Sequence, residues 1–109
     1  MERSDDFVVV LVTAPPEAAE RLARTLVEEK LAACVNRLGG VRSTYRWKGT
    51  IEDAVEDLLL AKTRRSLTER LEARVREVHP YEVPEVIVLP ITAGSKAYLE
   101  WLGDATGGE

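Results

Sequence analysis

The stretch Thr50-Ile51-Glu52-Asp53-Ala54-Val55-Glu56-Asp57-Leu58-Leu59-Leu60-Ala61 decides the fold of this chain. Ile51, Ala54, Val55, Leu58 and Leu59 stand at i, i+3, i+4, i+7 and i+8, the spacing that gathers apolar residues into one stripe on a helix. The stretch also ends in an unbroken apolar run, Leu58-Leu59-Leu60-Ala61, which suits a buried strand equally well. Periodicity leaves both readings open, so the flanking segments carry the argument.

Upstream, Phe7-Val8-Val9-Val10-Leu11-Val12 is a β-branched run that reads as a central strand covered on both faces. Thr13 is placed to cap a helix, with Pro15-Pro16 at its start, where missing amide donors do no harm. Glu17 and Glu20 lie near the positive end of that helix. Ala19, Leu22, Ala23 and Leu26 give it an apolar stripe down to about Lys30. Ala32-Ala33-Cys34-Val35 restarts an extended segment, and Gly39-Gly40 breaks or bulges it. Val41, Ser43, Tyr45 and Trp47 then share one side of a strand, Arg42, Arg46 and Lys48 share the other, and Lys48-Gly49 signals a turn.

Downstream, Ser66-Leu67-Thr68-Glu69 has the form of a capping box, and Leu67, Leu71, Val75 and Val78 form the stripe of the helix behind it. That helix must stop near His79, because the residue before a proline is pushed out of the α region. Val86 to Leu89 reads as a last core strand. Ser95 caps a short helix carrying Tyr98, Leu99, Trp101 and Leu102, with Gly103 as its expected stop. Residues 1–5 and 104–109 are expected to be loose. If residues 50–61 are a strand, the order is β-α-β-β-α-β plus a terminal helix. That is an α+β, ferredoxin-like sandwich. Its strands are too apolar for one sheet face to meet water, and the terminal helix is short cover, so self-association is expected.

A length of 109 residues with 45% apolar content fits one domain, residues 1–109, with a core that needs no disulfides. The net charge of -4 argues against nucleic acid as the main partner. No apolar run approaches a membrane span, and the acidic start, Glu2 to Asp6, does not resemble a signal peptide. A single cysteine forms no internal disulfide, so the expected location is the cytoplasm.

Catalytic constellations are missing. There is no Ser-His-Asp arrangement to argue, no Gly-rich phosphate loop and no close Cys-His pair. A phosphate cradle after the first strand would lose amide donors to Pro15 and Pro16. The expectation is therefore a protein that is not an enzyme. His79, the only histidine, has two readings. It is either a helix C-terminal residue that complements the dipole, or a metal ligand in a symmetric assembly where copies converge and Glu82 or Glu85 adds oxygen donors. Cys34 reads as a small buried side chain rather than a reactive thiol. Tyr45 and Trp47 suit a subunit interface.

Several motifs in sequence order carry a resemblance: Thr13-Ala14-Pro15, Lys30-Leu31-Ala32-Ala33-Cys34-Val35-Asn36, Ser43-Thr44-Tyr45-Arg46-Trp47-Lys48-Gly49, Ala61-Lys62-Thr63, His79-Pro80-Tyr81-Glu82-Val83-Pro84-Glu85, Leu89-Pro90-Ile91 and Tyr98-Leu99-Glu100-Trp101-Leu102. Together they make the chain similar to the CutA divalent-cation tolerance family. The resemblance implies a ferredoxin-like subunit, a homotrimer akin to the PII signalling proteins, and a hairpin turned at Trp47-Lys48-Gly49, which makes residues 50–61 a strand. It implies a role in tolerance of, or response to, divalent cations, copper among them, with no required cofactor. In some relatives a cysteine precedes Thr-Ala-Pro and a second histidine precedes His-Pro. Val12 and Val78 stand there in this chain, leaving His79 as the metal contact. Arg37-Leu38-Gly39 also departs from the family's apolar residue followed by Pro-Gly. The alternative is a PII-like module that binds a small molecule or a protein partner in clefts between subunits, with Tyr81, Glu85, Lys62 and Arg46 as contacts and Tyr45 and Trp47 at the trimer interface. A third reading is a scaffold without a ligand.

Overall fold

The computed structural model describes residues 1–107. The elements run β1 (Glu2–Arg3), β2 (Phe7–Ala14), α1 (Pro16–Glu28), β3 (Cys34–Trp47), β4 (Thr50–Arg64), α2 (Thr68–Val78), β5 (Val86–Pro90), β6 (Ala93–Gly94) and α3 (Lys96–Thr106). The deciding stretch lies wholly in β4. Lys48 (φ 49°) and Gly49 (φ 82°) form a two-residue turn with both φ positive, so that Trp47 and Thr50 pair directly. This turn matches the twist of the strands it joins. From Leu58 to Lys62, β4 is flanked by β3 on one side and β2 on the other, with antiparallel pairing to both. The helical spacing is a coincidence of two environments. Ile51 and Val55 are 56% and 55% exposed on the projecting hairpin, whereas Leu59 is fully buried.

The four-stranded sheet has the order β3-β4-β2-β5, and β1 pairs with β6 as a separate ladder. This is the ferredoxin-like arrangement, with the first long strand in the middle. Alternation divides the sheet's residues. Val8, Val10, Val12 and Ala14 of β2, with Leu59 and Ala61 of β4, meet Ala19, Leu22 and Leu26 of α1 and Leu71 and Val75 of α2 in the core. Thr63 is buried among them because its hydroxyl donates to the Leu31 carbonyl at 2.7 Å. The opposite face carries Leu11, Leu58 and Leu60, flanked in register by Leu38 of β3 and Ile87 and Leu89 of β5. Leu38, Ile87 and Leu89 remain 46%, 46% and 44% exposed. Helix α3 packs against β4, held by Arg64, whose Nη2 donates to the Gly103 carbonyl at 2.7 Å and whose Nε donates to Thr106 Oγ1 at 3.1 Å.

Some expected details hold. The register slips between Leu38 and Val41, and Gly40 takes φ 74° there, a bulge at the double glycine. Ser95 caps α3, its Oγ accepting the Tyr98 N–H at 3.2 Å. Others are corrected. Thr13 belongs to β2, and α1 starts at Pro16 behind Pro15 with no side-chain cap. Ser66 and Glu69 form no capping box. A 3₁₀ turn takes up Arg65–Leu67, so Leu67 flanks α2, and the nearby hydroxyl contact is Thr68 Oγ1 donating to the Arg65 carbonyl. Gly103 does not end α3, which continues to Thr106. A Cβ at Gly103 would stand 3.2 Å from Arg64 Nη2 and 3.4 Å from the Phe7 ring, so close approach explains this glycine. At the ends, Glu2 and Arg3 pair with Gly94 and Ala93, and residues 104–106 are helical, while 108 and 109 lie outside the described residues.

Candidate functional site

The site grows from the end of α2. Pro80 forces His79 into extended backbone, φ -72° and ψ 139°, while the His79 N–H still bonds the Val75 carbonyl. The chain reverses, and the imidazole becomes its pivot. The Tyr81 N–H donates to His79 Nδ1 at 3.0 Å, and Nε2 lies 2.7 Å from the Thr13 carbonyl oxygen. An amide can only donate and a carbonyl can only accept. The ring is therefore the neutral tautomer with its proton on Nε2. It is 7% exposed, and the Tyr81 ring leans on it with centroids 4.8 Å apart.

This does not suit the metal-ligand role expected of His79. Both ring nitrogens are occupied within the subunit, so a metal would have to displace the Thr13 or the Tyr81 hydrogen bond. Among the described residues no group of three or more His, Cys, Asp and Glu side chains converges to hold an ion. Within one subunit the donor set does not fit a metal.

Held by this pivot, residues 80–85 face the outer, turn-proximal half of the β3–β4 hairpin across a cleft of about 740 Å³. Tyr45, Trp47, Glu56, Tyr81 and Glu85 all line it. The Tyr81 hydroxyl donates to Glu56 Oε2 at 2.9 Å, and Thr13 Oγ1 donates weakly to Glu85 Oε1 at 3.4 Å. At the mouth Lys48 Nζ stands 5.5 Å from the centre of the Trp47 ring and 3.8 Å from Glu82.

Within one subunit the structure thus brings together Tyr81, Glu85, Tyr45 and Trp47, of which the sequence expected the first two in a cleft between subunits and the last two at the trimer interface. It does not bring Lys62 or Arg46 to them. Lys62 pairs in register with Val9 and Cys34 and bonds Asn36 Oδ1, farther along the sheet. Arg46 alternates with Tyr45 and Trp47 and does not line the cleft. Cys34 is only half-buried, its Sγ 3.9 Å from the same Asn36 oxygen. Sequence reasoning missed Glu56. The available signal was an acid sharing strand parity with Leu58 and Leu60, legible only once the stretch is known to be a strand.

Burial, followed by the hydrogen bond to Glu56 and its charge, pushes the Tyr81 phenol from 10.0 up to about 12. The folded chain therefore holds this proton more tightly than the unfolded chain. Its contribution to stability is complete below about pH 10 and is lost as the pH rises towards 12. Tyr81→Phe is expected to flatten the fall in stability between those values. Urea midpoints measured from pH 9 to 12 check this, and parallel curves for the two proteins would count against it.

The comparisons with known proteins agree with this fold. The sequence profile of the family described as "CutA1 divalent ion tolerance protein" matches residues 8–105. The chain belongs to the CutA1 family. It is 53% identical over 100 residues to "Protein CutA, chloroplastic" of Arabidopsis thaliana, an alignment that covers 91% of this chain and 55% of that protein. It is 49% identical over 100 residues to the "Divalent-cation tolerance protein CutA" of Thermus thermophilus, covering 91% of this chain and 97% of that one. The chain thus spans about half the length of the plant CutA relatives and nearly all of the bacterial one. The crystal structure of CutA1 from Oryza sativa superimposes with a TM-score of 0.90 at 49% identity, covering 93% of this chain and 94% of that chain. The family's description names tolerance of divalent ions and no reaction. No helix among the described residues is long and apolar enough to cross a membrane.

Proposed function

We propose that the chain serves divalent-cation tolerance as a cytoplasmic homotrimer without catalysis, and that copper is the ion to which it responds. The observation that carries the oligomer is the uncovered sheet face. Leu11, Leu38, Leu58, Leu60, Ile87 and Leu89 form a continuous apolar surface that α3 leaves half-exposed. A surface of this kind marks an interaction site, and a second copy supplies a matching apolar face. With His79 engaged inside the subunit, the donors left for an ion are carboxylates. Glu82 and Glu85 are exposed at the cleft rim, where neighbouring copies can add to one another's oxygen set. The single Cys34 suits a reducing compartment.

Sedimentation is expected to give three times the 12.1 kDa chain mass. Titration of Cu(II) into the assembled protein should release heat that falls in the Glu82→Gln/Glu85→Gln double variant. A monomer at micromolar concentration would overturn the assembly, and equal heats would remove the rim carboxylates from the ion response.

The cleft favours a second reading, a PII-like module for a small molecule. Its 740 Å³ lies within the range of small-ligand sites, roughly 300–1,000 Å³. Three aromatic side chains with a few polar groups among them are the usual lining of such sites.

A further inference from the structure

The chemistry of the cleft narrows what a small ligand can be. Its lining includes three carboxylates, Glu56, Glu82 and Glu85, and no lysine or arginine. Glu56 is the informative one. It lines the cleft yet is only 3% exposed. One oxygen, Oε2, accepts from the Tyr81 hydroxyl; no cation pairs with the group among the described residues, and since no buried side-chain oxygen among them lacks a partner, the other, Oε1, is the atom that meets the open cleft. A carboxylate so far out of water costs free energy unless a charge or several donors meet it. Beside it stand the rings of Tyr45, Trp47 and Tyr81, whose faces attract cations. Glu17 adds a further negative charge within reach of the Tyr81 phenol. At the mouth the chain shows the preference itself, since Lys48 sits between the Trp47 ring and Glu82. Lys48 stays outside, with its side chain 71% exposed, and leaves Glu56 unpaired.

We propose that this cleft binds an organic cation, an ammonium or guanidinium group on a short apolar stem, with its charged head on Glu56 and its stem against Tyr45, Trp47 and Tyr81. A bare metal ion suits the cleft less well, because among the described residues no three carboxylates converge to hold one. A guanidinium group supplies the missing donors to Oε1 in a planar fork and stacks on aromatic faces as well. The inference rests on the small-ligand reading of the cleft and specifies the ligand's charge.

Trp47 lines the cleft and provides the reporter. Trp101, the only other tryptophan, is silenced by Trp101→Phe. In that background n-butylguanidinium and n-butylammonium should change the Trp47 fluorescence saturably. Neutral n-butylurea and anionic butyrate should not. Glu56→Gln, which keeps the size of the side chain and removes its charge, should weaken n-butylguanidinium by about tenfold or more. Because Glu56 is buried, the exposed Glu85→Gln serves as a second variant whose folding is not at risk, and it should weaken binding by a smaller factor. Equal binding of n-butylurea or butyrate would overturn the cation while keeping a ligand-binding cleft. Silence with every probe would overturn both. Unchanged affinity in Glu56→Gln and Glu85→Gln would overturn the assignment of the charge to these carboxylates.

Discussion

His79→Ala is expected to destabilise the folded chain by roughly 2–5 kcal/mol, with or without metal present. Removing the imidazole leaves the Thr13 carbonyl and the Tyr81 N–H without partners, in a place where the ring itself was 7% exposed. Each group stranded away from water costs about 1–3 kcal/mol, and the space vacated by the ring adds to this. For a domain near 100 residues each kcal/mol shifts the midpoint by several degrees, so a fall in Tm on the order of 10 °C is expected. Calorimetry at one protein concentration, in the presence of a chelator, makes the measurement. The effect should extend to the cleft, because the Tyr81 N–H bond to Nδ1 aims residues 80–85 at the hairpin. Tyr81 would lose its fixed reach to Glu56, and the cleft would lose its floor. If His79 were primarily a metal ligand, the chelated variant would melt with the wild type and only the copper response would change. That result would reverse the assignment made here.

The sequence made the punctuation of this region readable but not its chemistry. Pro80 after an apolar stripe fixed the end of α2 to within a residue, because the steric clash behind that rule is local. The strand boundaries at Phe7 and Val86, the bulge at Gly39-Gly40 and the Ser95 cap were legible for the same reason. The Ser66 capping box failed because it competes with a 3₁₀ turn of nearly equal local merit, which tertiary contacts decide. Gly103 failed differently. Its role is to let Arg64 and Phe7 approach from β4 and β2, and nothing within one turn of helix announces that. The site divides along the same line. Tyr45, Trp47, Tyr81 and Glu85 were found as motif residues. Glu56 was hidden because periodicity left its segment open between helix and strand, and Lys62 and Arg46, expected in a cleft between subunits, do not line the cleft of the single subunit. Two of the site's hydrogen bonds, His79 to Thr13 and Tyr81 to Glu56, join residues far apart in sequence. Only the folded chain can display them.

The neighbours Leu59 and Leu60 give the sharpest test of both the fold and the assembly. On a strand they point to opposite faces. Leu59 is fully buried under the helices, whereas Leu60 lies half-buried on the open face beside Leu11. Leu59→Asp places a carboxylate in the core. The lost packing, roughly 2–5 kcal/mol, adds to a desolvation penalty of several kcal/mol for an unpaired charge. Together these approach the whole stability of a small domain, roughly 5–15 kcal/mol, so this variant should be unfolded by circular dichroism. Leu60→Asp adds its charge where the lone subunit still meets water. It should keep the wild-type circular dichroism spectrum yet sediment at 12.1 kDa, the mass of one chain. A like-charged group repeated by symmetry on each copy opposes the apolar contact that holds the copies together. A helix would have put residues 58 and 59 on one stripe and made the segment's faces three or four residues apart, and then adjacent substitutions would not separate folding from assembly so cleanly. A folded oligomer of Leu60→Asp would show that the copies associate through the hairpin or the β5 edge and not through the sheet face.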